Sequence, residues 1–232
     1  MIEEIVSPRS HSDVSTLVRN VILGMSDGLT VPFAIAAGLA GAHASTTTII
    51  TTAMLAEIAA GSISMGLGGY LATQTEADHY TAERARKKRE VTTNPNTGTQ
   101  GVIKWLMSYG LSSEESMTVT ALLKRRRDAW FDFMMRFELG EEPNKNRALK
   151  SAVTIGGFYI IGGLIPLIPY LVVSSVPKAL YFSIILTGSA LLIFGFLRGH
   201  FIGGKPWKGM LQTLLVGGLA AGAAFLLAKI VS

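Results

Sequence analysis

Five long apolar stretches constrain the fold of this chain more than any other feature. They cover residues 18–41, 46–74, 152–175, 179–197 and 209–229. A helix of roughly 20 residues crosses the hydrocarbon core of a bilayer, which is about 30 Å thick. Hydrophobic residues make up 49% of the 232 residues and charged residues only 16%. The sequence therefore predicts an all-α membrane protein with five transmembrane helices.

One long polar stretch interrupts this pattern between the second and third apolar stretches. It divides the chain into residues 1–74 with two transmembrane helices, an insert at 75–150, and residues 151–232 with three more. Helix-forming residues without glycine or proline extend the second span as a stalk as far as Glu90. The insert is therefore predicted to be a small helical domain on that stalk.

The insert contains turn and helix signals in succession. Residues 93–101 are rich in Asn, Gly and Thr, which is typical of a turn. Ser113 is a candidate helix N-cap and Gly140 a candidate C-cap. Short helices are predicted near 100–110, 113–125 and 127–139. The predicted core packs one apolar group, Val102, Ile103, Leu106 and Met107, against another, Val119, Leu122, Leu123, Trp130 and Phe133.

Positive charge is distributed unevenly between the two sides of the five spans. Nearly all of the 21 Lys and Arg residues fall in the N-terminal tail, the insert and the loop at 198–208. Because Lys and Arg are retained in the cytosol, the N-terminus and the insert are predicted to be cytosolic and the C-terminus to lie across the membrane. The basic runs at 84–89 and 124–127 lie near the bilayer, so anionic lipid suits them better than nucleic acid.

Two acidic residues lie inside the apolar stretches. Asp27 occurs in the first and Glu57 in the second, and each has a methionine nearby, Met25 and Met65. A carboxylate at the centre of a membrane helix costs roughly 2.5–3.5 kcal/mol, so it normally faces protein or water and has a function. Carboxylate oxygen and thioether sulfur together suit divalent transition metals. The pattern indicates a metal route through the membrane. The alternative is that the acids are bonded to hydroxyls such as that of Ser26, and that the methionine only packs.

Small residues and the number of spans predict how the helices assemble. The pairs Gly24 with Gly28 and Gly218 with Gly222 are predicted to let helices approach closely. Five spans are few to enclose an ion pathway, and no internal repeat is visible. The predicted assembly is therefore a two-fold homodimer with the pathway near its axis.

The insert carries acidic and sulfur-bearing side chains that suggest a cation-capture site. They are Glu83 and Glu90 on the stalk and Met134, Met135 and Glu138 on the last short helix. The alternative is that these charges only solvate an exposed helix, since Glu83 and Lys87 form an ordinary i,i+4 pair. The chain has no cysteine, which excludes thiolate metal sites and disulfides. It also shows no nucleophile–base arrangement, so an enzyme is not predicted.

Three motifs carry a resemblance to a known family. They are S-D-G-L-T-V-P-F-A-I-A-A-G-L-A-G in the first span, E-I-A-A-G-S-I-S-M-G-L-G-G-Y-L-A-T-Q-T-E-A-D-H-Y in the second, and D-A-W-F-D-F-M-M-R-F-E-L-G before the third. With these motifs the chain resembles the vacuolar iron transporter family over nearly its whole length. This resemblance implies a dimeric five-span exchanger that moves ferrous iron from the cytosol into a vacuole or similar compartment against protons. It implies no permanently bound cofactor, and cargo that extends to Mn²⁺, Zn²⁺, Co²⁺ and Ni²⁺.

The resemblance also implies roles for individual residues. Asp27, Glu57 and Met65 are expected to line the translocation path. The residues that match the family's cytosolic metal-binding domain are Glu90, Met134, Met135 and Glu138. Family members carry further glutamates along the stalk and after it, where this chain has Lys87 and the region of Gly98 and Gly101. Two alternatives to an iron transporter therefore remain: a membrane-anchored metal-binding or sensing protein that does not transport, and a transporter that prefers manganese.

Overall fold

A computed structural model describes residues 9–93, 95–140, 147–201 and 204–231. All elements in these ranges are α-helices, which confirms the predicted all-α class. They are α1 (Arg9–Gly41), α2 (Thr47–Thr93), α3 (Pro95–Ser108), α4 (Ser113–Lys124), α5 (Arg127–Leu139), α6 (Arg147–Val172), α7 (Val176–Phe201) and α8 (Pro206–Val231). Helices α1, α2, α6, α7 and α8 are long and apolar enough to cross a membrane, as the five apolar stretches predict.

Helix α2 runs without interruption through 47 residues. Its first part is one of the apolar spans, and its second part is the predicted stalk. The sequence contains neither glycine nor proline between Gly69 and Asn94, so nothing in the stalk favours a break. The predicted continuation of the second span as a helix is confirmed.

The chain forms two compact units. One contains residues 1–70 and 148–232 with the apolar helices, and the other contains residues 71–147 with the stalk and α3 to α5. In the first unit α6 is the most buried of the five apolar helices. Its side chains Leu167 and Tyr170 share one core cluster with Ala36 of α1, Met54 of α2 and Ala179 of α7.

Glycines bring the backbones of α1, α2 and α6 unusually close. A Cβ atom added at Gly24 would lie 3.1 Å from the main-chain carbon of Ile155, and one added at Gly28 would lie 2.9 Å from the Cα of Tyr159. On α2, a Cβ added at Gly66 would lie 3.0 Å from the main-chain oxygen of Ala152. The predicted close approach at Gly24 and Gly28 is confirmed, and α6 is the helix that they contact.

The prediction for Gly218 and Gly222 is wrong. A Cβ added at either residue would meet no atom within 4 Å. Both glycines instead line a cavity of about 490 Å³ between α1, α7 and α8, together with Phe33 and Leu191. The spacing of small residues alone does not distinguish a helix contact from a gap. The two helices α7 and α8 approach closely elsewhere, where Gly195 packs against the main chain of Gly209.

The second unit has a small apolar core of its own. Val102 and Leu106 of α3 are buried against Trp130 and Met134 of α5, with Val119, Leu123 and Phe133 packed at the edge. The predicted roles of Met107 and Leu122 in this core are wrong, because 45% and 56% of these residues are exposed. Each lies one position from a buried or packed residue, on the outer face of its helix.

Two local predictions in the insert are also corrected. Residues 95–101 are the first two turns of α3 and not a turn cluster, and Pro95 occupies the first helical position, where its missing N–H costs nothing. The N-cap of α4 is Ser112 and not Ser113. The Ser112 hydroxyl accepts from the N–H of Glu115, whose carboxylate accepts in turn from the N–H of Ser112. Gly140 caps α5 at a φ of 77°, as predicted.

Candidate functional site

The carboxylate of Glu57 is held inside the first unit by a tyrosine of α6. The Tyr159 hydroxyl donates a hydrogen bond of 2.6 Å to Oε1 of Glu57. Only 2% of Tyr159 is exposed, whereas Glu57 is half-buried. An O–H···O⁻ bond of this length is of the strong, charge-assisted kind. One oxygen of Glu57 is therefore fixed toward α6.

Asp27 approaches the same part of α6 from α1. The next residue, Gly28, lies against the main chain of Tyr159, and the side chain of Asp27 is half-buried. Asn20 lies on α1 one helical turn before Gly24. Its buried side-chain amide donates a hydrogen bond of 2.9 Å to the Ser151 hydroxyl of α6. This polar contact between α1 and α6 lies about two helical turns, or roughly 10 Å, from Asp27 along α1.

Glu57, Gly61 and Met65 follow one line along α2, because residues four apart lie above one another on a helix. Met65 is half-buried. With a rise of 1.5 Å per residue, Glu57 lies about 15 Å and Met65 about 27 Å from the start of α2. By the same measure Asp27 lies about 21 Å from the end of α1. Since α1 and α2 are joined at those ends, the depth of Asp27 falls between those of Glu57 and Met65.

The outer face of α1 near Asp27 is partly exposed. Leu23 and Val31, one turn to either side of Asp27, are 39% and 37% exposed. The outer face of α2 is exposed as well, and residues Ala56, Ala60, Ser64 and Gly68 place a small side chain there at every fourth position. A second helix can approach such a face closely.

In the second unit, basic side chains neighbour Glu83 and Glu90, the two stalk glutamates of the predicted capture site. Arg86 donates to Glu83 with its Nε at 3.0 Å and an Nη at 2.8 Å. Glu90 lies 3.7 Å from Arg86 and 3.6 Å from the Nζ of Lys87. These stalk carboxylates are therefore neutralised by their own helix.

Two of the three predicted ligands on α5 are buried. Met134 and Met135 are 4% and 2% exposed, and Met134 belongs to the apolar core of the domain. The side chain of Glu138 lies outside the described residues. Within the described part of the chain, no three His, Asp or Glu side chains come close enough to hold a metal ion. The structure therefore brings together Glu57, Tyr159 and the helix that carries Asp27. The predicted capture site, which includes Glu138, stays a prediction.

Comparison with known proteins agrees with the motifs in the spans. The model of the VIT family matches residues 18–229. The chain belongs to the VIT family. A vacuolar iron transporter of Centaurea cyanus is 53% identical over 94% of this chain and 89% of its own length. Vacuolar iron transporter 1 of Arabidopsis thaliana is 49% identical over 95% of this chain and 88% of its own.

The similarity extends beyond plants. Protein CCC1 of Saccharomyces cerevisiae is 39% identical over 97% of this chain and 70% of its own length. The family membership confirms the resemblance seen in the three motifs. The two plant relatives are named as transporters, which agrees with the prediction that this VIT-family chain is not an enzyme.

Tyr159 is the residue of this site that the sequence did not reveal. A phenol inside an apolar span often has a hydrogen-bond partner, which is the only signal available in the sequence. Tyr170 gives the same signal on the same helix, but its hydroxyl is buried without a hydrogen-bond partner among the described residues. Composition and spacing do not distinguish the two tyrosines of this VIT-family chain.

Proposed function

We propose that this chain is a transporter that moves ferrous iron and related divalent metals from the cytosol into a vacuole across the vacuolar membrane. The observation that carries the proposal is the half-buried Glu57 carboxylate, held within the apolar helices by Tyr159. A charged oxygen at that depth costs free energy, and membrane proteins usually keep such a group only where it has a function. The names of the relatives, which include several vacuolar iron transporters, supply the cargo and the compartment.

The path of the metal follows the order of depth of its ligands. A cation that enters on the stalk side meets Met65 first, then Asp27, then Glu57 nearest the α1–α2 turn. The carboxylates supply hard oxygen ligands, and the thioether favours transition metals over magnesium and calcium. Ligands spread along the membrane, and not gathered at one point, let an ion bind in steps and leave again.

Protons are the proposed counter-ion. A carboxylate holds either a cation or a proton, so release of the metal into an acidic compartment is coupled to protonation of the same oxygens. The protonated carboxylates then become accessible from the cytosol, where they release their protons and so recover the metal-binding form. The transporter is in this account an antiporter that the acidity of the vacuole drives.

A second copy of the chain is the proposed cover for the outer face of α1. In a single chain, half-buried Asp27 lies between Leu23 and Val31, which lipid would contact. A charge next to lipid is unfavourable, and a two-fold partner removes it from lipid and places two copies of each ligand near one axis. The small residues on the outer face of α2 permit the close approach that this homodimer requires.

The second unit is proposed to be cytosolic and to collect cations at low affinity. Nearly all of the Lys and Arg residues lie on the same side of the spans as this unit, which places it and the N-terminus in the cytosol and the C-terminus in the vacuole. Its predicted ligands Glu83 and Glu90 have Arg86 and Lys87 as competitors for a cation. Capture by these residues therefore requires that the basic side chains move away.

That same charge pairing favours one rival function, a membrane-anchored metal-binding or sensing protein that does not transport. Purified protein in liposomes with an acidic interior separates the two. We expect uptake of Fe²⁺ that depends on the pH difference and stops when an ionophore removes it, with protein-free liposomes as the control. Metal binding without uptake would favour the sensor. Faster uptake of Mn²⁺ than of Fe²⁺ in the same liposomes would identify manganese as the preferred cargo.

A further inference from the structure

The hydroxyl of Tyr159 donates a hydrogen bond to only one of the two carboxylate oxygens of Glu57. The hydrogen bond of 2.6 Å ends on Oε1, and the described residues show no hydrogen bond to Oε2. Rotation of a carboxylate whose first oxygen is held in this way is restricted. Its second oxygen is left to face a ligand in one orientation.

The position of the phenol is set by two glycines. The main chain of Tyr159 lies against Gly28 of α1, next to Asp27. Its ring lies against Gly61 of α2, one turn from Glu57, where an added Cβ would be 2.5 Å from Cζ and 2.7 Å from Cε1. A side chain at Gly28 would meet main-chain atoms of Tyr159, whereas one at Gly61 would displace its ring. Tyr159 therefore contacts both helices that carry the acids, and its ring is confined along α2.

Burial alone does not explain the hydrogen bond. Tyr170 lies eleven residues further along α6, at 3% exposed, and the structure gives its hydroxyl no hydrogen-bond partner within the described chain. This helix therefore accommodates a phenol without a partner. The bond to Glu57 is a specific feature of the acid site.

We propose that Tyr159 is a positioning residue for the transported metal. Its hydroxyl holds Oε1 of Glu57, so that Oε2 is presented to the cation as a single, oriented oxygen ligand. The proposal rests on the proposed function of Glu57 as a ligand on the path. Preorganisation of this kind improves affinity because the ligand loses little freedom when the cation binds.

The test compares Fe²⁺ uptake by four full-length proteins in liposomes with an acidic interior: the parent, Tyr159→Phe, Tyr170→Phe and Glu57→Gln. Phenylalanine keeps the ring that packs on Gly61 and removes only the hydroxyl. We expect Tyr159→Phe to raise the KM for Fe²⁺ by about tenfold, the usual worth of a hydrogen bond to a charged group. The maximal rate should stay within about a factor of two. The lost hydroxyl orients Glu57 equally in every step of transport, so its loss weakens metal binding without slowing any one step. Tyr170→Phe should match the parent in both constants.

A second variant covers the case in which Tyr159→Phe does not fold. Gly61→Ala moves the phenol away from Glu57 and should raise the KM in the same way, while Gly157→Ala, on α6 with open space around it, should not. Unchanged or lower KM values for Tyr159→Phe and Gly61→Ala, with Glu57→Gln inactive, would overturn the positioning role and leave the proposed function intact. Parent-like uptake by Glu57→Gln would instead overturn the proposed function of Glu57 itself.

Discussion

The thioether of Met65 and the carboxylate of Glu57 lie on one line of α2 but would contribute different chemistry to the proposed metal path. Oxygen ligands accept every divalent metal of the proposed cargo, whereas sulfur favours the softer ones. A half-buried methionine in an apolar helix is also an ordinary packing residue. Replacement of the sulfur by a group of similar volume separates the two roles.

We expect Met65→Leu to lower the uptake of Co²⁺ relative to Mn²⁺ severalfold, because leucine conserves the volume and removes the soft ligand. The measurement is competitive uptake of the two metals into liposomes from one mixture. Met54→Leu is the matched control. Met54 lies on the same helix but is fully buried in the apolar core, so this variant should leave the ratio unchanged. An unchanged ratio in Met65→Leu would show that this methionine only packs.

Helix α4 depends on one local motif at its start. The Ser112 hydroxyl and the Glu115 carboxylate satisfy each other's backbone N–H groups. These hydrogen bonds from Ser112 hold the pKa of Glu115 below its ordinary value. A carboxyl group with a lowered pKa in the folded state stabilises that state above the ordinary carboxyl pKa. The contribution is lost as the pH falls through the lowered value.

Ser112→Ala should therefore speed amide exchange in the first turn of α4 by about fivefold, the usual effect of losing an N-cap. The difference between Ser112→Ala and the parent should shrink as the pH falls through the lowered pKa of Glu115, where the carboxylate becomes protonated. Hydrogen exchange of the full-length protein measures both effects, and Ser113→Ala serves as the control. Equal exchange in the three proteins would contradict the observed cap.

The elements show which structural features the sequence encodes locally. The five apolar helices and the stalk were predictable, because long apolar runs and helix-forming residues act over short distances. The start of α3 differs from the prediction because Asn, Gly and Thr favour turns, whereas residues 95–101 are helical, with Pro95 at the first helical position. Gly28 and Gly218 occur in the same small-residue pattern, yet only Gly28 contacts another helix. Which neighbour a residue meets is a tertiary property.

The residues of the candidate site also differ in whether a local sequence signal identifies them. Asp27 and Glu57 were predictable because a charge in an apolar stretch is anomalous in any membrane helix. Tyr159 was not, because its role depends on the packing of α6 against Gly61. Met134 fits both a ligand and a core residue by sequence, and the structure places it in the core.

In the proposed transporter, the carboxylates of Asp27 and Glu57 are kept within apolar helices because a passing cation needs them. Two helices provide one acid each, α6 packs against both, and a second copy is proposed to shield the exposed side of α1 from lipid. If this is correct, the neutral amide at either position should stop transport without disturbing the fold. The isosteric changes Asp27→Asn and Glu57→Gln test this.

The most direct measurement is the initial rate of Fe²⁺ uptake into liposomes with an acidic interior. The parent is compared with Asp27→Asn, Glu57→Gln and Glu76→Gln, the last of which alters an exposed acid further along α2. We predict that Asp27→Asn and Glu57→Gln lose nearly all uptake while Glu76→Gln retains the parent rate. Uptake by Asp27→Asn and Glu57→Gln at the parent rate would contradict the account.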